Sequence, residues 1–221
     1  MDCFDYPVSF VEIGAHDGRD GKKNDERGDL LCSRILSHNW RGLLIEPLPS
    51  AYKELVYNFG SNSNAITDNV AIHSSKHSVS FYDDKYKPGC SSVFKTSNIK
   101  KHIKNKREVS RIQVDALTMD EVLEKHQFDN FQILQIDVEG SEWEVIRSIS
   151  LNEYRPDVIE YEHKHVHSLG LEEKIIKRLS KHGYVVYRYS KKDSIAICRN
   201  YFKAQKKLLN LADRLNFRRL L

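Results

Sequence analysis

Apolar residues fall along this chain in two alternating rhythms. Val8 to Ile13 is an apolar, β-branched run (Val8, Phe10, Val11, Ile13) and predicts a buried strand. Leu30, Leu31, Ile35 and Leu36 follow at helical spacing and predict a helix over 29–38. A second strand is expected over 42–45, and Pro47 and Pro49 close the loop after it. Ser50 is then placed to cap a helix from Ala51 to Phe59. A strand near 65–72 and a half-exposed strand over 78–82 come next. A short strand is expected over 111–114. Thr118-Met-Asp-Glu121 has the form of a capping box and opens a helix to about His126. Phe131 to Ile136 predicts a core strand, and Ser141 caps a helix through Ile149. A strand over 157–161 and a helix over 171–182, stopped by Gly183, follow. Residues 184–189 and 195–198 predict a closing antiparallel pair. Strands and helices that alternate in this way favour an α/β protein with a mostly parallel sheet covered on both faces.

The length of 221 residues suits one such domain and is short for two. We expect that domain over 1–200, with a lid-like insertion at about 84–110, and a C-terminal basic amphipathic helix over 201–221 packed on it. The formal charge is a mild +4, but its distribution is uneven. Residues 85–111 hold nine lysines and arginines against Glu108 alone. No run is long enough to span a membrane, and the start lacks a basic segment followed by an apolar one. The four cysteines are far apart and form no Cys-x-x-Cys pair, as expected of thiols in a reducing compartment. A cytoplasmic location is therefore expected.

The chemistry gathers where the strands end. In an open α/β sheet, ligands bind outside the carboxyl ends of the strands. The first strand carries Glu12 and runs into Gly14 and Gly18, four residues apart, with Ala15 and His16 between them. The second ends in Glu46 and Pro47. The dinucleotide fingerprint needs a middle glycine to approach a pyrophosphate, and His16 occupies that place. The pattern suits a cofactor without phosphates instead. S-adenosylmethionine fits: its amino and sulfonium groups welcome acids, and Glu46 can accept from its ribose hydroxyls. Asn69 and Ala71 mark the third strand end. Asp137 emerges from the most apolar strand, and Gly140 lets the chain turn after Glu139. Asp137 can accept a proton from a hydroxyl, orient that hydroxyl or ligate a divalent ion; equally, it can be a turn residue before a helix.

Six segments, in order along the chain, resemble the FkbM-like methyltransferase family. They are Val-Glu-Ile-Gly-Ala-His-Asp-Gly (11–18), Leu-Ile-Glu-Pro (44–47), Asn-Val-Ala (69–71), Leu-Thr-Met-Asp-Glu-Val-Leu (117–123), Ile-Asp-Val-Glu-Gly-Ser-Glu (136–142) and Val-Ile-Glu-Tyr-Glu-His (158–163). The resemblance implies a Rossmann-like class I methyltransferase fold and S-adenosylmethionine-dependent O-methylation of a hydroxyl on a sugar, glycan or glycolipid-like acceptor. The long, charged loop over 19–28 and the basic lid depart from the family pattern. Asp137, His163 and Glu139 are the candidate catalytic residues. Glu12, Gly14, Ala15, His16, Gly18, Glu46, Pro47, Asn69 and Ala71 are the candidate cofactor residues.

Several alternatives stay open. His163, His165 and His167 would share one face of an extended chain, which invites a metal site with Asp137 and Glu139, magnesium or manganese if oxygen donors dominate and zinc if the three histidines do; the same histidines can simply be solvated. The basic lid suits an anionic acceptor or nucleic acid, or is a solvated loop. An RNA or RNA-cap methyltransferase and a catalytically silent cofactor-binding module are the competing functions. The C-terminal helix either packs on the domain or meets a membrane surface or partner.

Overall fold

Strand β1 (Ser9–Ile13) is buried on both faces, because helices cover the sheet from either side. Val11 and Ile13 join one core, with Leu43, Ile45, Leu134 and Ile136. Phe10 joins the other, with Leu44, Leu55 and Phe59. The computed structural model describes residues 8–19, 30–84, 109–199 and 218–220.

The remaining strands are β2 (Arg41–Ile45), β3 (Ala65–Asp68), β4 (Ala71–Ile72), β5 (Ser78–Asp84), β6 (Val109–Leu117), β7 (Ile133–Ile136), β8 (Val158–Glu162), β9 (Tyr184–Arg188), β10 (Asp193–Cys198) and β11 (Arg218–Arg219). The helices are α1 (Leu30–His38), α2 (Pro49–Phe59), α3 (Met119–His126), α4 (Glu142–Ser148), α5 (His163–Ser168) and α6 (Glu172–Lys181). The main sheet runs β11-β9-β10-β8-β7-β1-β2-β3. Strands β3, β2, β1, β7 and β8 are parallel, and β10, β9 and β11 close the sheet in antiparallel fashion. This is the Rossmann-like class I methyltransferase architecture expected above. The chain leaves β1 for β2 on one side and pairs β7 on the other, so the order switches at β1. A crevice opens at such a switch.

Several local expectations change. The strand expected near 65–72 is two strands in two sheets, with Asn69 and Val70 between them. Strand β6 is nine residues long, because seven of them pair across to β5. Ser50 lies inside α2, which begins at Pro49 after Leu48. Proline is well suited to a first helical position, where its missing N–H costs nothing. The capping box stands: the Thr118 hydroxyl accepts from the Glu121 amide, and Glu121 accepts from the Thr118 amide at 2.7 Å. The histidines 163, 165 and 167 do not share an extended face, since they form the single-turn helix α5, halted at Gly170 (φ +70). Arg218 and Arg219 pair with Arg188 and Tyr187 as an edge strand, where the expected C-terminal helix would have continued. The body of that helix (201–217), most of the basic lid (85–108) and the charged loop (20–29) lie outside the described residues. Among those residues, no helix is long and apolar enough to cross a membrane.

Candidate active site

The sheet's hydrogen bonding continues past the strand ends and fixes the rim of the crevice. Gly14 and Ala15 both donate to the Ile45 carbonyl, at 2.9 and 3.1 Å. Asp137 donates to Ile13 at 2.9 Å, and Glu46 donates to Asp68 at 3.0 Å. Gly14 sits at φ +89, and a Cβ there would fall 1.9 Å from the Asp137 carbonyl oxygen. Only glycine lets the ends of β1 and β7 approach so closely.

A partly open cavity of about 140 Å³ lies above this rim. Gly14, His16, Glu46, Pro47 and Ala71 line one part of it, and Asp137, Glu139 and Ser141 another. Val70, Ile72 and Phe81 supply apolar wall. Six of the expected residues around the cofactor and the reacting centre therefore face one space, and Gly14 closes its floor.

Glu46 is buried, and both of its oxygens are held by backbone. Oε2 accepts from the His16 amide at 2.9 Å and Oε1 from the Leu48 amide at 2.8 Å. Burial raises its pKa, and those two amides work against the rise. A carboxylate has about four acceptor positions, so room is left for a ligand's hydroxyls. His16 has φ +48, and its Nε2 is buried without a hydrogen-bond partner, as is Ser141 Oγ. Two orphaned polar atoms on residues that line a half-apolar cavity are what a polar ligand would satisfy. Glu46, His16 and Ser141 thus fit a ligand carrying hydroxyls, an amine and an aromatic base, as S-adenosylmethionine does.

Other expected cofactor residues lie behind the rim. Glu12 is buried on the α1 side of β1, where the Cys32 thiol donates to Oε2 at 3.4 Å. Ala15 packs with Cys32, Leu55 and Phe59. Gly18 is pressed against α2: a Cβ there would lie 2.5 Å from the Phe59 ring and 2.9 Å from Leu55. Asn69 braces the loop, donating from Nδ2 to the carbonyls of Glu46 at 2.8 Å and Pro47 at 3.1 Å.

The β7–β8 side is crowded with acids. The Asp137 side chain opens to the cleft but is ringed by protein, and its carboxyl is pushed up to about 7. Desolvation is the main cause, followed by the charges of Glu139, Glu162, Asp193 and Glu160. Behind it, fully buried Glu142 accepts from the Gly140 amide at 3.1 Å through Oε1, while Oε2 has no hydrogen-bond partner. Burial pushes that carboxyl up to about 8. Ser141 precedes α4 as expected but makes no capping bond with its side chain.

The histidine that reaches this acid group is His165, not His163. His165 Nε2 lies 2.9 Å from Glu139 Oε2 and 3.4 Å from Glu162 Oε2. The bond to Glu139 raises its pKa against the effect of burial. The turn of α5 carries His163 elsewhere, with Nδ1 3.0 Å from Ser194 Oγ, and burial lowers its pKa. Reading 163–167 as extended chain hid this, because a one-turn helix with a single apolar residue, Val166, leaves no period to detect. Glu162 belongs to the polar strand end expected over 160–163 but is given no role there, and the strand itself ends one residue later than the apolar pattern suggests.

The family model for the methyltransferase FkbM domain matches residues 12–186. The chain belongs to that family. Its members are S-adenosylmethionine-dependent methyltransferases, and the cavity at the switch point is placed accordingly. No curated protein matches the chain significantly. Among solved structures it is similar to the precorrin-6y C5,15-methyltransferase of Geobacter metallireducens GS-15, at 12% identity and a TM-score of 0.47 over 88% of this chain and 82% of that one. It is also similar to the ribosomal protein L11 methylase of Lactobacillus delbrueckii subsp. bulgaricus, at 10% identity and a TM-score of 0.45 over 90% and 73% of the two chains. A third likeness is to Aeropyrum pernix fibrillarin, solved with natively bound S-adenosyl-L-methionine, at 12% identity and 0.46 over 86% and 66%.

Proposed function

We propose that this methyltransferase acts on a hydroxyl of a sugar, glycan or glycolipid-like acceptor. One observation carries the reading: Glu46 and Asp137 face the same cavity from opposite sides of the switch point. Glu46 would hold the cofactor's ribose. Gly14 and His16 would flank its methionine end, and Pro47, Ala71 and Ile72 the remainder. Bound there, S-adenosylmethionine would supply a methyl group on a sulfonium, whose sulfur departs as a neutral thioether and needs no further activation.

The chain's own residues then have two tasks. The rim aligns the acceptor oxygen with the methyl group, and alignment of this kind can remove roughly 7–11 kcal/mol of barrier. Asp137 accepts the hydroxyl proton as the oxygen–carbon bond forms and the carbon–sulfur bond breaks. A carboxyl near 7 is well matched to that task at neutral pH, since a base works best with a pKa close to the ambient value. The acids around it suit a neutral hydroxyl at the reacting end better than an anion. An anionic acceptor would need the basic lid, whose residues 85–108 lie outside the described ones.

The test has two stages. Calorimetric titration with S-adenosylmethionine and, separately, NAD should give binding to the first alone. Incubation with methyl-labelled cofactor and a panel of glycans, glycolipids and RNA should then label a glycan-type hydroxyl. Label on RNA alone would overturn the acceptor class. Binding without transfer to any acceptor would favour a silent module.

A further inference from the structure

We propose that Glu142 is a positioning residue that works as an uncharged carboxylic acid: it fastens the turn that carries Glu139 and Ser141 into the cavity, and it leaves the single negative charge of the Asp137–Glu142 pair on Asp137. The turn needs fastening. Glu139 sits at φ +51 and Gly140 at φ +111, two left-handed residues in a row. A residue with a Cβ reaches that region only at a cost. The Ser141 amide donates to the Val138 carbonyl at 3.3 Å, and the Gly140 amide donates to Glu142 Oε1 at 3.1 Å. Asp137, Val138, Glu139 and Ser141 all line the cavity, and Glu142 stands behind them.

Everything around Glu142 favours its neutral form. The side chain is fully buried. Oε1 has its one backbone donor, and Oε2 is sealed from water with no hydrogen-bond partner among the described residues. The charges that act on it are those of Asp137, past the end of β7, and Glu162, at the end of β8, and both are negative. Strand β4, packed against α4, offers only Ala71 and Ile72. Helices α3 and α6 meet α4 toward its far end, where Met119 donates to Ser148 and Arg178 to the carbonyls of Ile146 and Ile149. Glu144 and Arg147, on α4 itself, pair with each other and with Ser74 and His73. An ionised carboxylate in such a place costs far more than a neutral carboxyl.

Asp137 differs in one respect: its side chain opens to the cleft. When one proton leaves the pair, the more open site gives it up first. A charge on Glu142 would keep Asp137 protonated, so a neutral Glu142 is what lets Asp137 act near neutral pH. The carboxyl values run the same way, about 7 for Asp137 and about 8 for Glu142. This inference deepens the assignment of Asp137 as base and rests on it.

The test needs neither cofactor nor acceptor. The full chain is labelled with carbon-13 at the carboxyls of aspartate and glutamate, and NMR follows those signals from about pH 4 to 9. Asp137→Asn and Glu142→Gln assign the two signals. In the unaltered chain Asp137 should titrate first and Glu142 after it. Glu142→Gln has the shape of the neutral acid, so that variant should fold and leave the pH at which Asp137 titrates unchanged. Asp137→Asn removes a neighbouring charge, so Glu142 should then titrate at lower pH. Glu142→Ala has no acceptor, and hydrogen exchange at the Gly140 amide should quicken by about tenfold or more. Glu142 titrating before Asp137 would overturn the proposal, as would a Glu142→Gln variant that fails to fold or lowers the pH at which Asp137 titrates. Unaltered exchange at Gly140 in Glu142→Ala would overturn the fastening of the turn. Near-normal turnover of Asp137→Asn would instead count against Asp137 as base and leave the order of titration standing.

Discussion

On the β2 side of the cleft one buried carboxylate is met by backbone, whereas on the β7–β8 side several carboxylates meet one another. Burial raises the pKa of Glu46, but the amides of Leu48 and His16 work against that rise and favour its charged form. Asp137 is desolvated, and beyond that Glu139, Glu162, Asp193 and Glu160 each disfavour its charge. The same residue chemistry therefore serves opposite ends. A carboxylate met by fixed backbone donors is a stable acceptor for hydroxyls. A carboxyl whose pKa is raised by burial and by acidic neighbours can take up and release a proton near neutral pH. The difference is set by what surrounds each strand end, since both acids follow an apolar parallel strand.

Breaking the β7 side should have the largest effect. Asp137→Asn keeps the shape and removes the base, so turnover should fall by at least about 10²-fold, with cofactor affinity little changed. Steady-state rates on the unaltered protein and the variant, each with a titration of S-adenosylmethionine, check this. Near-normal turnover would return Asp137 to the role of a turn residue.

The crowding also predicts opposite pH trends for rate and stability. Asp137 must be ionised to act as base, so turnover should rise with pH through about 7. Folding stability should move the other way. An unfolded aspartate titrates near 3.9, well below the folded value. The folded state therefore holds its proton longer, and the stability this contributes is complete below about pH 4 and lost as pH rises through about 7. Glu142, pushed up to about 8, and Asp157, pushed up to about 6, act in the same direction. Chemical denaturation of the ligand-free protein between pH 4 and 8 should show stability falling, with a shallower slope for Asp137→Asn. A flat profile for both proteins would mean that neither burial nor the neighbouring acids raise these carboxyls.

On the β2 side, Glu46→Ala should weaken S-adenosylmethionine binding by about 1.5–3 kcal/mol, the scale of hydrogen bonds to a charged group. The His16 and Leu48 amides would lose their acceptor as well, so the melting temperature should also drop. Calorimetry beside a thermal melt separates the two. Unchanged affinity in a folded variant would remove Glu46 from the site.

What the sequence revealed and what it concealed divide along the same line. Strands β1 and β2, their glycine turn and Glu46 could be read directly, because unbroken apolar runs and a glycine at φ +89 leave few alternatives. The capping box at Thr118 was equally plain, since both of its bonds are local. Asp137 stood out at the end of an apolar strand. The partners that give Asp137 its character did not. Glu162 and His165 reach Glu139 only because β8 pairs with β7 and the chain then coils at once into α5. Gly18 and Asn69 could be read as rim residues, but what they touch, Phe59 in one case and two loop carbonyls in the other, is tertiary.

The smallest effect should come from Asn69, and it tests whether the β2 rim is braced or touched. Its Nδ2 donates to the carbonyls of Glu46 and Pro47, which fixes the loop carrying the Glu46 carboxylate. The residue is exposed, so each bond should contribute toward the lower end of the ~0.5–1.5 kcal/mol usual for neutral hydrogen bonds. Asn69→Ala should therefore cost about 1 kcal/mol of folding stability. If Asn69 only braces the loop, S-adenosylmethionine affinity should fall by less than in Glu46→Ala, because the two amides at Glu46 still hold its carboxylate in place. If Asn69 itself meets the cofactor, the loss of affinity should equal or exceed the loss of stability. Urea denaturation and calorimetry on the same preparation give both numbers. An affinity loss as large as that of Glu46→Ala would place Asn69 beside Glu46 in the site.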